Sequence, residues 1–106
     1  MTRDQFVAIC DDKLKLVRVE AGLTQEAMAH TIGLSKKTLV DIEKGRRSLG
    51  WTGAVALTAI FQDSDIIAAT FGGPPTEIIL ALAADTAVFH RRAVRGSPVW
   101  WTPATS

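Results

Sequence analysis

An all-α fold is predicted for this chain of 106 residues, and three observations predict it. Apolar residues recur at three- and four-residue spacing, as in Phe6, Cys10, Leu14 and Val17, and again in Met28, Ile32, Leu34, Leu39 and Ile42. That is the period of helices with one buried face. Residues able to cap helix N-termini, Thr24 and Ser35, precede such runs, while Gly22, Gly33 and Gly45 follow them. No strand pattern interrupts the series.

Six helices are expected in order. The first covers residues 4–21, carries Phe6, Cys10, Leu14 and Val17 on its inner stripe and stops at Gly22, with a break near Asp11 and Asp12 left open. The second covers 25–32 and the third 36–44, joined by a sharp turn at Gly33, with Ala29 small enough for close approach. A fourth over 51–61 is expected to bury Trp51, Val55, Leu57 and Phe61. Gly53 inside it costs roughly 1 kcal/mol against Ala, which suggests close helix packing there. A short fifth over 64–70 ends at Gly72-Gly73-Pro74-Pro75, where the proline pair cannot continue a helix. This stretch is taken as the boundary between a domain over 1–73 and a C-terminal segment over 74–106. Within that segment 76–92 reads as a sixth helix and 96–106 as an extended tail.

Composition sets the broad class. Nearly half the residues are apolar, enough for one small core. The lone Cys10 cannot form an intrachain disulfide, so a cytoplasmic location is expected, with Cys10 packed rather than reactive. No basic-then-apolar signal sequence opens the chain, and acidic residues interrupt its apolar stretches, so no membrane association is expected. Net charge is only +1, but its distribution is uneven. From 35 to 47 the five basic residues Lys36, Lys37, Lys44, Arg46 and Arg47 outnumber Asp41 and Glu43. From 48 to 90 there is no Lys or Arg, against Asp63, Asp65, Glu77 and Asp85. A basic patch backed by an acidic body orients a molecule on a polyanion.

Two capped helices around a glycine turn make a helix-turn-helix, and here the residues resemble a known family. Leu14, Val17 and Arg18, then Gly22-Leu23-Thr24-Gln25, Gly33-Leu34-Ser35 and Ile42-Glu43-Lys44-Gly45-Arg46-Arg47 are similar to the pattern of Cro/cI-type (lambda-repressor-like, XRE-family) helix-turn-helix proteins, over about 12–65. The resemblance implies a five-helix lambda-repressor-like DNA-binding bundle, to which the C-terminal helix and extended tail are added. It also implies that Arg18 and Glu43 form a structural ion pair between the first and third helices. Met28 stands in place of the usual leucine, Lys44 where asparagine is common, and Leu49 where proline often precedes the fourth helix.

Groove geometry then selects the candidate site. A recognition helix enters the major groove N-terminus first, so Lys36, Lys37 and Thr38, with Asp41 one turn on, are expected to read bases. Lysine donates to guanine O6 and N7, the Thr38 methyl meets a thymine methyl, and Asp41 accepts from cytosine N4 or instead pairs with Lys37 four residues away. Gln25, Ser35, Lys44, Arg46 and Arg47 are the expected phosphate contacts, with Gln25 at a helix N-terminus that favours anions.

The expected function is a sequence-specific DNA-binding transcriptional regulator, a repressor, with double-stranded DNA as partner. The alternative is a protein-interaction module, an antitoxin-like binder docking a second protein through its C-terminal segment. No enzyme, cofactor or metal site is expected: His30 and His90 have no neighbour that makes an acid-base, nucleophile or metal pair, and there is no glycine-rich phosphate loop. A homodimer is expected through Ile78, Ile79, Leu82, Phe89, Trp100 and Trp101. The apolar face of the sixth helix is wide, and adjacent tryptophans diverge by about 100° on a helix or face opposite sides of a strand. A tail wrapped back over the first and fifth helices is the other arrangement.

Overall fold

A computed structural model describes residues 1–84. Within them six helices follow in order: α1 (Arg3–Glu20), α2 (Gln25–Ile32), α3 (Lys36–Glu43), α4 (Gly50–Ile60), α5 (Asp65–Phe71) and α6 (Thr76–Ala84). Among the described residues there is no strand, and no single helix is long and apolar enough to cross a membrane.

Helix α1 is the mast of the bundle. A capping box starts it: the Thr2 hydroxyl accepts from the Gln5 N–H at 3.1 Å, and the Gln5 side chain accepts from the Thr2 N–H at 2.9 Å. Phe6, Cys10, Leu14 and Val17 are all buried along its inner stripe, and α3, α4 and α5 pack against it. Phe6 sits between Trp51 and Phe71, with ring centroids 5.7 and 5.4 Å away. Cys10 is buried, and its thiol is pushed up to about 12 by burial and then by the Asp11 charge, so it stays a neutral packing group.

The helix runs unbroken through Asp11 and Asp12, where a break had been open. The reason is tertiary. An aspartate disturbs a helix when its side chain competes for local backbone groups, but Asp11 Oδ1 instead accepts from the Leu49 N–H at 2.7 Å. Leu49 is the N-cap of α4 and has no side-chain cap bond of its own; Asp11 holds its N–H, while the Ser48 hydroxyl accepts from the Gly50 N–H at 3.0 Å. A proline at this position would have no N–H to offer Asp11. Glu20 repeats the device at the other end of α1, accepting from the Ser64 hydroxyl and from the Asp65 N–H at 3.1 Å, at the start of α5.

Helix α4 differs from expectation in two respects. Leu57 is buried, but Trp51, Val55 and Phe61 are only half-buried, and Trp51 is covered on one face by the Arg3 guanidinium, 4.3 Å from its ring centroid. A Cβ on Gly53 would approach Leu49 Cβ and Cδ2 to 3.1 Å. The nearest contact at Gly53 is therefore with Leu49, one turn earlier.

At Gly72 (φ 78°) the chain turns, and α6 folds back onto α4. Pro75 and Leu82 are buried, Ile78 and Ile79 pack against the core, and the Leu82 carbonyl accepts from Arg3 Nε at 3.3 Å. Gly72-Gly73-Pro74-Pro75 is thus a turn within the bundle as far as Ala84. The remainder of the expected sixth helix, the tail, and Phe89, Trp100 and Trp101 lie outside the described residues.

Candidate nucleic-acid interface

Helices α2 and α3 pack on each other around Gly33, whose φ of 97° is reached without strain only by glycine. The Thr24 hydroxyl accepts from the Ala27 N–H and the Ser35 hydroxyl from the Thr38 N–H, so both helices begin on side-chain caps. Met28 and Ala29 of α2 and Leu39 and Ile42 of α3 enter the core. Burying that face leaves Lys36 and Lys37 exposed at the start of α3, with Thr38 and Asp41 half-buried beside them.

The end of α3 is fixed as firmly as its beginning. The Gly45 N–H donates to the Ile42 carbonyl at 3.0 Å and the Arg46 N–H to the Asp41 carbonyl at 2.8 Å, with Gly45 at φ 79°. This paired closure sets Arg46 at one place relative to the helix. Lys44, Arg46 and Arg47 are all exposed there. Lys44 caps the helix, which ends one residue earlier than expected.

Behind this surface lies a charged cluster. Arg18 Nε and Nη2 reach Glu43 Oε2 and Oε1 at 2.7 and 3.1 Å, a bidentate pair whose side chains are 14% and 4% exposed. Arg18 Nη1 also donates to the Leu23 carbonyl at 3.1 Å, tying down the loop between α1 and α2. Burial pushes the Glu43 carboxyl up, but hydrogen bonds from Arg18 and Gln25 and the charges of Arg18 and Lys15 outweigh it and hold the group below the usual carboxylate range. Gln25 is drawn into this cluster: its amide donates to Glu43 Oε1 at 3.1 Å. One amide N–H of the expected phosphate contact is therefore engaged inside the protein.

Ser35, an expected phosphate contact, is exposed and serves as the N-cap of α3. Its hydroxyl accepts from the Thr38 N–H at 3.1 Å and lies within hydrogen-bond distance of Thr38 Oγ1 at 2.9 Å. Asp41 and Lys37 are not joined by an ion pair among the described residues, where Arg18–Glu43 and Lys13–Asp12 are the pairs formed. Sequence reading passed over Lys15, an exposed cation whose charge acts on Glu43. Its place three residues before Arg18, on the same helix face, was the available signal.

A helix-turn-helix family model matches residues 14–50. Over residues 14–50 the chain is similar to that helix-turn-helix family. The match begins at Leu14 on α1, spans the whole of α2 and α3, and ends where α4 begins, a narrower segment than the resemblance in the sequence. No curated protein and no solved structure matches the chain. A Cro/cI-type helix-turn-helix is a DNA-binding module of transcriptional regulators, and the exposed lysines of α3 lie within the matched segment.

Proposed function

We propose that the protein is a sequence-specific transcriptional repressor that binds double-stranded DNA with α3 in the major groove. The observation that carries this reading is the exposure of Lys36 and Lys37 on the first turn of α3, opposite the buried Leu39 and Ile42. Lys36, Lys37, Thr38 and Asp41 read base edges, while Arg46, Arg47, Lys44 and the N-terminus of α2 at Gln25 hold phosphates. Lys37→Ala relaxes sequence preference. Arg46→Ala weakens binding to all sequences about equally and reduces the salt slope by about 0.9. Salt-titrated binding to genomic fragments measures both, and a changed preferred site in Arg46→Ala with none in Lys37→Ala would reverse the orientation of α3. Reporter transcription from the recovered fragments tests repression: expression that rises when the protein is present rejects it.

We propose also that the protein acts as a homodimer through its C-terminal segment. Leu82 is engaged within its own chain and Ile78 and Ile79 partly so, which transfers the weight of this proposal to Leu80, 38% exposed, and to Phe89, Trp100 and Trp101. Two copies present recognition helices about 34 Å apart on a pseudo-palindromic site, multiplying the modest specificity of one short helix. Light scattering on the full chain gives a dimer mass that falls to a monomer in the Trp100→Ala, Trp101→Ala double variant. A monomer mass for the unaltered chain at micromolar concentration rejects the dimer.

A further inference from the structure

The loop between α3 and α4 is tied to α1 at both ends. Arg18 holds Glu43 at the end of α3, and Asp11 accepts from the Leu49 N–H just before α4 begins. These two anchors stand seven residues apart on α1, about 10 Å along its axis. Lys15 falls between them, four residues after Asp11 and three before Arg18, so it shares their helix face. Its charge acts on the Glu43 carboxyl, which places the ammonium toward the same loop.

The loop itself carries Lys44, Arg46 and Arg47, and these three cations and Lys15 are all exposed. The acids at the two anchors are already engaged, Glu43 by Arg18 and Gln25, and Asp11 by the Leu49 N–H. Among the described residues the ion pairs formed are Arg18–Glu43 and Lys13–Asp12, so none of the four cations is in one. Like charges gathered in this way create a field that an external anion relieves.

We infer that Lys15 is a further phosphate-binding residue, which extends the basic corner of the α3–α4 loop onto α1 and holds a backbone phosphodiester of the bound DNA beyond those held by Arg46 and Arg47. Lysine suits this task, since its ammonium is a compact charge with three rotatable donors on a flexible stem. The inference rests on the reading that α3 enters the major groove, because that docking brings the elements around the recognition helix against the backbone. A contact of this kind raises affinity and fixes register, and it carries no base preference.

The test is salt-titrated binding to the recovered DNA fragments, comparing the wild type with Lys15→Ala, Lys15→Arg and Lys13→Ala, and with Arg46→Ala as reference. Lys15→Ala should lower the salt slope by about 0.9, which corresponds to about an eightfold loss of affinity at 0.1 M salt. Lys15→Arg keeps the charge and should restore both. Lys13→Ala removes the same unit of charge about 200° around α1, where Lys13 meets Asp12 at 3.8 Å, and should leave the slope unchanged. Ethylation interference gives a second readout: one phosphate whose ethylation weakens the wild type should become indifferent in Lys15→Ala. Thermal melting of each variant separates a lost contact from a lost fold, since Lys15 also acts on Glu43. If Arg46→Ala lowers the slope while Lys15→Ala does not, or if Lys13→Ala lowers it as much as Lys15→Ala, the inference is overturned and the groove reading stands. If the wild type prefers no fragment over bulk DNA, both fall.

Discussion

Arg18→Ala is expected to lower the stability of the fold by about 3 to 5 kcal/mol, and the melting temperature by about 15 °C or more. The variant leaves the Glu43 carboxylate, 4% exposed, with the Gln25 amide as its remaining hydrogen bond and Lys15 as its remaining cation, and frees the Leu23 carbonyl from its tether. Affinity measured on the folded fraction should fall much less, because Arg18 supports α3 from behind. The pH dependence has a definite sign. In the wild type the Glu43 carboxyl is depressed in the fold, so its stabilisation is complete above the ordinary glutamate value of about 4.3 and is lost as pH falls through the folded value. Without Arg18, burial dominates and raises the same group, so acidification neutralises it and relieves the strain. The stability gap between variant and wild type should therefore narrow as pH falls into the carboxylate range. Thermal melts across pH measure it; wild-type melting with selectively lost DNA binding would move Arg18 from the scaffold into the DNA contact.

Phe6→Ala is expected to cost a similar amount, about 3 to 5 kcal/mol, by the loss of buried area and the cavity left behind. Phe6 is fully buried and joins three helices, since its ring meets Trp51 of α4 and Phe71 of α5 from α1. The neighbouring rings cannot collapse freely into the space, because Trp51 is also held under Arg3. Phe6 lies outside the segment matched to the helix-turn-helix family, so the base preference of the folded fraction should be unchanged. Denaturant unfolding and DNA selection on the same variant check the two halves. A loss below about 1 kcal/mol, or an altered site, would mean that the α1, α4 and α5 junction is not the independent scaffold described.

The sequence by itself determined what is local. Thr24 and Ser35 cap helices through N–H groups three residues away, Gly33 and Gly45 close them with positive φ, and the apolar stripe of α1 repeats at helical spacing, so all are fixed by interactions within a turn or two of chain. The helix-turn-helix was legible for that reason, as were the exposed lysines, which follow once the apolar face is assigned. Tertiary structure alone decided where polar side chains at distant positions find their partners. Asp11 could have broken α1, yet it caps α4 from 38 residues away, and Glu20 caps α5 from 45 residues away. Gln25, expected from the sequence at a phosphate, has its amide held by Glu43, and α6 lies on its own bundle although its composition suited a partner. A carboxylate, an amide or an apolar face carries no record of its partner in its neighbours along the chain, because that choice is made by which surfaces the packed core brings within about 3 Å for a hydrogen bond or about 4 Å for an apolar contact.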